Sequence, residues 1–525
     1  MTELSARLSA AFAAHPRIAA LICGLLSATG FPPLNVWPLA LIGLAGFATL
    51  IAVARDWKHA ARIGWLFGVA HFTLANNWIA EAFTYQAEMP AALGWLAVPL
   101  LALYLAVYPA IAAGLARAVG GEKPVALAFA FGGSWAVAEW LRSWVFTGYA
   151  WDPLGLLFLG PYDRPGLAAI LPWLGTYALS GLAALIGAGI AALAMRAAWW
   201  RVVAIFALVA VAMYLPGPAA TPGSREIALI QPGLRQQDID DPTKYEEQFQ
   251  TLARLTVPRT DSGERLVLWP ESGLPDYLRP GYPRRYYLAT TAGADPDYAR
   301  ARIGNAIGRG SVLLTGAVDL KIEGGKAVGA YNSVTALNPE GEIVGSYAKA
   351  HLVPYGEYLA LRWLLEPLGM TRLVAGTIDF IPGPGPRTLD LGRFGKAGMQ
   401  ICYEIVFAGQ VVAPANRPEW IYNPSNDGWF GSFGSPQFVG QARMRAIEEG
   451  LPVIRGTVSG ISAVIDARGV VRAYLPTSFT PGRIDARIPQ ALSPTPFALF
   501  GNPLSLGWAA LALLLSLLVR RRLSR

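Results

Sequence analysis

Cysteine is nearly missing from this chain: two in 525 residues, Cys23 and Cys402. That excludes a disulfide scaffold. Histidine is almost as scarce. The four histidines (His15, His59, His71 and His351) are scattered along the chain, which argues against a His/Cys zinc site, and neither metal nor cofactor is expected. Charge is thin as well. Asp, Glu, Lys and Arg make up 15% of the residues, where an average soluble protein has about a quarter. Combined with 54% hydrophobic residues and a mean hydropathy of +0.37, this excludes a purely soluble protein. Repeats, heptads and long polar tracts are absent, so collagen, coiled coil and disorder are excluded too. The length allows roughly two to four domains.

What is present is strongly segregated. Long apolar runs alternate with short polar breaks up to residues 216–223. Charge then appears at ordinary globular density until about residue 490, and one more apolar run closes the chain. A transmembrane helix needs roughly 20 mostly apolar residues. Candidate spans fall at 17–31, 35–54, 63–80, 93–116, 125–145, 167–195 and 202–216, with an eighth at 496–519. The expected organisation is a transmembrane domain of seven spans (1–222), an α/β domain (223–490), and an eighth span with a basic tail (491–525). Twelve of the 17 tryptophans precede residue 217. Trp37, Trp57, Trp95, Trp144 and Trp151 lie near predicted span ends, where an aromatic belt would sit. A cleaved signal peptide is disfavoured, because the second span follows too soon. Cys23 only faintly resembles a lipid-attachment site, since the large Ile22 precedes it.

The formal charge of +8 has an address. Residues 223–490 hold 28 Lys/Arg and 27 Asp/Glu and are nearly neutral. They carry no signature for nucleic acid. Of the other 15 basic residues, 13 fall in alternate segments with the termini, and only Arg142 and Arg164 fall in the opposite loops. Cytoplasmic loops are enriched in Lys and Arg. Both termini are therefore expected in the cytoplasm and the polar block outside it.

The polar block reads as mixed α/β. Short apolar, β-branched runs at 226–231, 265–269, 311–318, 332–338, 397–402, 420–423, 452–458 and 462–466 suit buried strands. Pro339-Glu340-Gly341 reads as a hairpin turn. Helices are expected at 242–255, capped by Asp241, and at 436–449.

Three reactive side chains follow strand-like runs: Glu271 in LVLWPESGLP, Lys349 in VGSYAKAHLVPYGEY and Cys402 in AGMQICYE. Ends of strands are where α/β folds place sites. Taken singly, each has a plain structural alternative: a helix-entry cap, a solvated lysine, a buried small hydrophobe. Together they form a working set. A carboxylate can take the thiol proton. A lysine and a backbone N–H can hold an oxyanion. His351, two residues from Lys349, reads as structural.

WPESGLP, YAKAHLVPYGEY and ICYE, in this order, resemble the three catalytic motifs of the nitrilase superfamily. That resemblance implies an αββα sandwich over 223–490, with Glu271 as general base, Lys349 at the oxyanion and Cys402 as nucleophile. With membrane spans on both sides, the whole chain is similar to the bacterial apolipoprotein N-acyltransferase family. SNDGWFG (425–431) and the following QARMRAIEEG extend the likeness. It implies supporting roles for Glu357, Glu404 and the backbone of Tyr403, with an ion-pair role left open for the two glutamates. It also puts Asn426 and Trp429 near substrate. Gly428 departs from the pattern, where a slightly larger residue is expected.

The implied reaction moves an acyl chain from a phospholipid, typically phosphatidylethanolamine, to the N-terminal amine of an apolipoprotein at the inner membrane, the catalytic domain being periplasmic. The apolar segment 359–373, with Trp363, is expected to act as a lipid-entry arm or a buried insertion helix. A membrane-tethered amidase, a transporter with an outer domain and a dead scaffold remain as alternatives. Glu81, Glu139 and Arg142 are the charges a transporter reading would use.

Overall fold

The computed structural model describes residues 14–85, 90–219, 221–259, 264–368 and 378–522. Among the described residues, eight α-helices longer than a single turn precede the polar block: α1 (Pro16–Ala28), α2 (Trp37–Val53), α3 (Trp57–Ala75), α4 (Ala92–Leu105), α5 (Val107–Gly120), α6 (Pro124–Arg142), α7 (Leu171–Ala194) and α8 (Trp199–Tyr214). Their starts follow the local sequence. Proline occupies an opening position in α1, α2, α6 and α7, where its missing N–H costs nothing. Asp56 caps α3 by accepting the N–H of His59 at 2.7 Å. Small residues let backbones touch, as membrane packing requires. A Cβ on Gly132 of α6 would lie 2.8 Å from the carbonyl oxygen of Gly181 in α7, and one on Gly181 would lie 2.6 Å from that of Gly132.

Four helical stretches among the described residues are long and apolar enough to cross a membrane: Ala92–Gly120, Pro124–Arg142, Leu167–Ala194 and Asn502–Arg522. The apolar helices α1, α2 and α8 are shorter, with 13, 17 and 16 residues. At 1.5 Å per residue none of them alone matches a hydrocarbon core of about 30 Å. α3 has the length but carries Lys58, His59 and Arg62 in its first two turns. The expected last span, 496–519, is broken by Gly501 at φ +62°. A short helix, Pro496–Phe500, precedes the break, and the long helix runs through Arg520–Arg522.

The tryptophan belt is only partly as expected. Trp57, Trp95 and Trp144 are exposed, while Trp37 and Trp151 are buried. Trp151 is an interface residue: its indole N–H donates to Gln437 Oε1 at 2.8 Å and its ring stacks on Phe430.

The polar block forms two six-stranded sheets, ordered β12-β1-β2-β3-β4-β5 and β11-β10-β9-β8-β7-β6. The strands are β1 (Glu226–Gln231), β2 (Leu266–Leu268), β3 (Val312–Glu323), β4 (Lys326–Leu337), β5 (Ile343–Ala348), β6 (Thr388–Asp390), β7 (Lys396–Met399), β8 (Trp420–Ser425), β9 (Val453–Thr457), β10 (Ser462–Ile465), β11 (Val471–Leu475) and β12 (Gly482–Arg487). Both faces are buried, which is why the strands read as continuous apolar runs. In β1, Ile227 and Leu229 enter the core between the sheets with Met399, Trp420 and Tyr422. The alternate residues Ala228 and Ile230 pack under two outer helices, α9 (Tyr245–Thr256) and α10 (Pro296–Ile307). Asp241 accepts the N–H of Thr243 at the turn that leads into α9.

Helix α11 (Gly431–Glu449) joins the two parts, and its residues from Ser435 to Glu449 are all buried but Pro436. Gln437 donates to Ala75 O at 3.0 Å. Arg443 reaches the carbonyls of Gly160, Pro161 and Arg164. Glu448 accepts both the N–H and the hydroxyl of Thr176 at 2.6 Å. The final helix is α12 (Asn502–Arg522). The expected helix at 436–449 thus begins five residues earlier, through a Gly/Ser-rich stretch that reads locally as loop.

Candidate active site

The reactive residues sit where strands end. Glu271 follows β2 after Trp269-Pro270, Lys349 follows β5, Cys402 follows β7 and Asn426 follows β8. Gly316 on β3 makes room for the first of these, since a Cβ there would lie 2.7 Å from Glu271 Cα. Glu271, Lys349, Glu357, Cys402, Glu404 and Asn426 are all buried.

Lys349 Nζ lies 3.0 Å from Glu357 and 3.5 Å from Glu271 Oε1. Asn332 on β4 bridges the two carboxylates. Its amide donates to Glu271 Oε1 at 2.7 Å and to Glu357 Oε1 at 2.8 Å. The other Glu271 oxygen accepts the N–H of Asn426 at 2.8 Å. Glu357 Oε2 also accepts the N–H of Val353 at 2.8 Å. A buried ammonium is costly by itself. Here burial lowers the lysine's pKa, but the Glu357 and Glu271 carboxylates outweigh it and hold the ammonium above its usual range.

Cys402 opens a tight turn, Cys402–Val406, with φ +49°. A non-glycine residue in this region is uncommon and aims its side chain where ordinary backbone would not. Burial pushes the thiol pKa well up, the Glu271 charge adds to this, and Lys349 and Ser425 pull it back. The resting sulfur is therefore a thiol.

Glu404 makes no ion pair with Lys349. It accepts from the Tyr347 hydroxyl at 2.6 Å and from the N–H groups of Ala350, His351 and Ile401 at 2.7, 3.2 and 2.7 Å. It straps the Cys402 turn to the segment after Lys349. Burial raises its pKa to about 7, against the pull of those donors. The Tyr403 ring stacks on Trp151 at 6.5 Å between centroids, which ties the turn to the helical part. The His351 ring stacks on Phe407 at 4.3 Å between centroids.

Two expected contacts sit further out. Trp429 is half-buried against the ring of Tyr85, 5.8 Å away. Trp363 is 75% exposed, in a short helix, Arg362–Leu365. Residues 369–373 of the expected arm lie outside the described residues. Gly428 has a local reason: a Cβ there would lie 2.7 Å from Gln236 Oε1, which accepts the Asn426 amide.

Sequence reading missed Asn332, Asn423, Ser425 and Arg455. All four lie inside strands, where a polar residue reads only as one face of a sheet. The structure groups no three or more His, Cys, Asp or Glu side chains as a metal site among the described residues.

A buried carboxylate, ammonium and thiol that follow strands of both sheets in an α/β sandwich define a nitrilase-type domain, here joined to apolar helices. The family model for carbon-nitrogen hydrolases matches residues 227–495, and the model for the apolipoprotein N-acyltransferase N-terminal domain matches residues 23–189. The chain is 32% identical over 530 residues to the apolipoprotein N-acyltransferase of Rhodopseudomonas palustris, covering 96% of this chain and 95% of that one. To the Bradyrhizobium diazoefficiens protein of the same name it is 33% identical over 534 residues, covering 97% and 95%. Among solved structures, the nitrilase-superfamily amidase of Nesterenkonia AN1 is 19% identical, with a TM-score of 0.34, covering 52% of this chain and 92% of that one. The chain belongs to the apolipoprotein N-acyltransferase family. It is an acyltransferase of the carbon-nitrogen hydrolase superfamily and a bacterial inner-membrane protein.

Proposed function

We propose that the enzyme transfers a fatty acyl chain from a phospholipid to the α-amino group of the N-terminal diacylglyceryl-cysteine of apolipoproteins, through a thioester on Cys402. What carries this reading is the joint burial of Glu271, Lys349 and Cys402, with both charges acting on the thiol, in a chain of this family.

Glu271 takes the thiol proton as sulfur attacks the ester carbonyl. Lys349 and the N–H of Tyr403 hold the oxyanion. Lysophospholipid leaves, its ester oxygen taking the proton from Glu271. The acceptor amine then attacks the thioester and gives its proton to Glu271, and the C–S bond breaks to release the Cys402 sulfur, which Glu271 reprotonates. A thioester is reactive enough to form an amide, so no nucleotide is consumed. Glu357 holds Lys349 between the two carboxylates. Glu404 fixes the turn that presents Cys402. Asn426 and Trp429 border the substrate, and Trp363 with its neighbours contacts the lipid. Phosphatidylethanolamine is the proposed donor.

Both substrates are anchored in lipid, which gives the apolar helices a purpose. The proposed arrangement has a seven-span domain (1–222), a periplasmic catalytic domain (223–490) and an eighth span with a cytoplasmic tail (491–525). A reporter fused after Gly223 should be active only outside the cytoplasm. Activity only inside would reverse the orientation.

The deciding experiment is intact mass spectrometry after incubation with phospholipid. An acyl adduct is expected on the wild-type chain and not on Cys402→Ala. Acylation that persists in Cys402→Ala would overturn the reading.

A further inference from the structure

Arg455 on β9 is completely buried, and so is the side chain of its partner Asp427. One arm of the guanidinium donates to Asn423 Oδ1 and the other to Asp427 Oδ1, both at 2.5 Å. Its face lies 4.2 Å from the Phe438 ring of α11. Its Nε has no hydrogen-bond partner among the described residues. A buried ion pair of this kind is a weak source of stability compared with apolar packing. Its geometry points to another use.

Asn423 and Arg455 are register partners on the parallel strands β8 and β9. With its oxygen held by Arg455, the Asn423 amide points the other way. It donates to the carbonyls of Gln400 at 2.6 Å and Cys402 at 3.2 Å. These are carbonyls of the turn that carries the thiol, and Cys402 itself is in the left-handed region. Such a residue persists only when its surroundings over-determine it. Asn423 is one of those determinants.

The second arm reaches the other half of the site. Asp427 Oδ1 also accepts the Ser425 hydroxyl at 2.8 Å, and Oδ2 accepts that of Ser435 at 2.6 Å. The residue before it, Asn426, gives its N–H to Glu271 Oε2. One guanidinium therefore spans the Cys402 turn and the loop that holds Glu271.

We propose that Arg455 and Asn423 are positioning residues for acyl-enzyme formation: together they set the thiol of Cys402 against the carboxylate of Glu271. This rests on the reading of Cys402 as nucleophile and Glu271 as base. Neither residue touches substrate, so they act on the rate of the chemical step and not on lipid binding. A displacement of about 1 Å between reacting groups can cost on the order of a hundredfold.

The test uses the full chain in detergent micelles containing phosphatidylethanolamine. The rate of Cys402 acylation is followed by intact mass at several lipid concentrations, beside thermal melting. Asn423→Asp keeps an acceptor for Arg455 but removes both amide donors to the turn. The acylation rate at saturating lipid should fall roughly 30- to 100-fold, with half-saturation within about threefold of wild type. Arg455→Lys keeps a charge beside Asp427 but lacks the second arm. It should show the same loss, and it is the readout if Asn423→Asp does not fold. Folded variants that acylate within about threefold of wild type, while Cys402→Ala is dead, would overturn the positioning role and leave the nucleophile intact. An adduct on Cys402→Ala would instead overturn the reading on which the inference rests.

Discussion

Lys349 Nζ lies nearer to Glu357, at 3.0 Å, than to Glu271, at 3.5 Å. The ammonium is thus held mainly by a carboxylate other than the proposed base. If Glu357 loses its charge, Lys349 is left with Glu271 alone and should move onto it. The base would then be neutralised and the ammonium drawn from the oxyanion. Glu357→Gln should lower the rate of acyl-enzyme formation by on the order of a hundredfold, the scale of losing one oxyanion donor, with Glu357→Asp recovering part of it. The check is single-turnover acylation by intact mass. A Gln variant within about threefold of wild type would show that Glu357 only supports the loop.

The Cys402 thiol is held well above its ordinary pKa, by burial first and by Glu271 second. Below its pKa a thiol loses its thiolate fraction tenfold per pH unit, and thiolate is the species that alkylates. The rate of alkylation by iodoacetamide should therefore keep climbing between pH 7 and about 9 without a plateau. Mass spectrometry of the Cys402 peptide measures this. A plateau below pH 8 would mean a stable thiolate at rest, and Glu271 would not be needed as the base for acylation.

The strands that carry this chemistry were readable because each ends a run of buried apolar residues. Glu271, Lys349 and Cys402 follow β2, β5 and β7, and their motifs keep their order in the chain. Asn332 and Arg455 were not readable, because Asn332 opens and Arg455 interrupts a strand-like run, and each gains meaning only from residues far away in sequence. The strands β6, β11 and β12 were missed for a different reason. β6 has only three residues, and β11 and β12 are half-exposed edge strands without a continuous apolar run. Helix α11 was legible from Pro436 onward but not in its first five residues, whose Gly/Ser-rich stretch reads locally as loop.

Trp363 and Leu364, six and seven residues after Glu357 in the chain, are 75% and 45% exposed on the surface. Large apolar side chains kept out of the core point to a partner phase. If that phase is lipid, full burial of one such side chain contributes about 1.5–3 kcal/mol, and partial burial of the two at a lipid surface contributes about that much in total. Trp363→Gln with Leu364→Gln should raise the half-saturating phospholipid concentration by roughly 10- to 100-fold and leave melting unchanged. Loss of folding in the double variant would show instead that the segment packs as an insertion helix.

Glu448 caps a break in a membrane helix. Gly175 at φ +71° interrupts α7, and the N–H and hydroxyl of the next residue, Thr176, both donate to Glu448 Oε1 at 2.6 Å. Glu448 Oε2 pairs with Arg445 at 2.8 Å. A helix begun in the middle of an apolar bundle has N–H groups without partners, and here a carboxylate from the catalytic domain supplies one. Glu448→Ala would leave Arg445 buried and unpaired, a loss of about 3–5 kcal/mol. Glu448→Gln keeps an acceptor for Thr176 and loses only the charge, so it should fall between the two. Thermal unfolding of the full chain in detergent gives the order wild type, Gln, Ala. An Ala variant that melts with the wild type would show that the two parts are held by the other α11 contacts, those of Gln437 and Arg443.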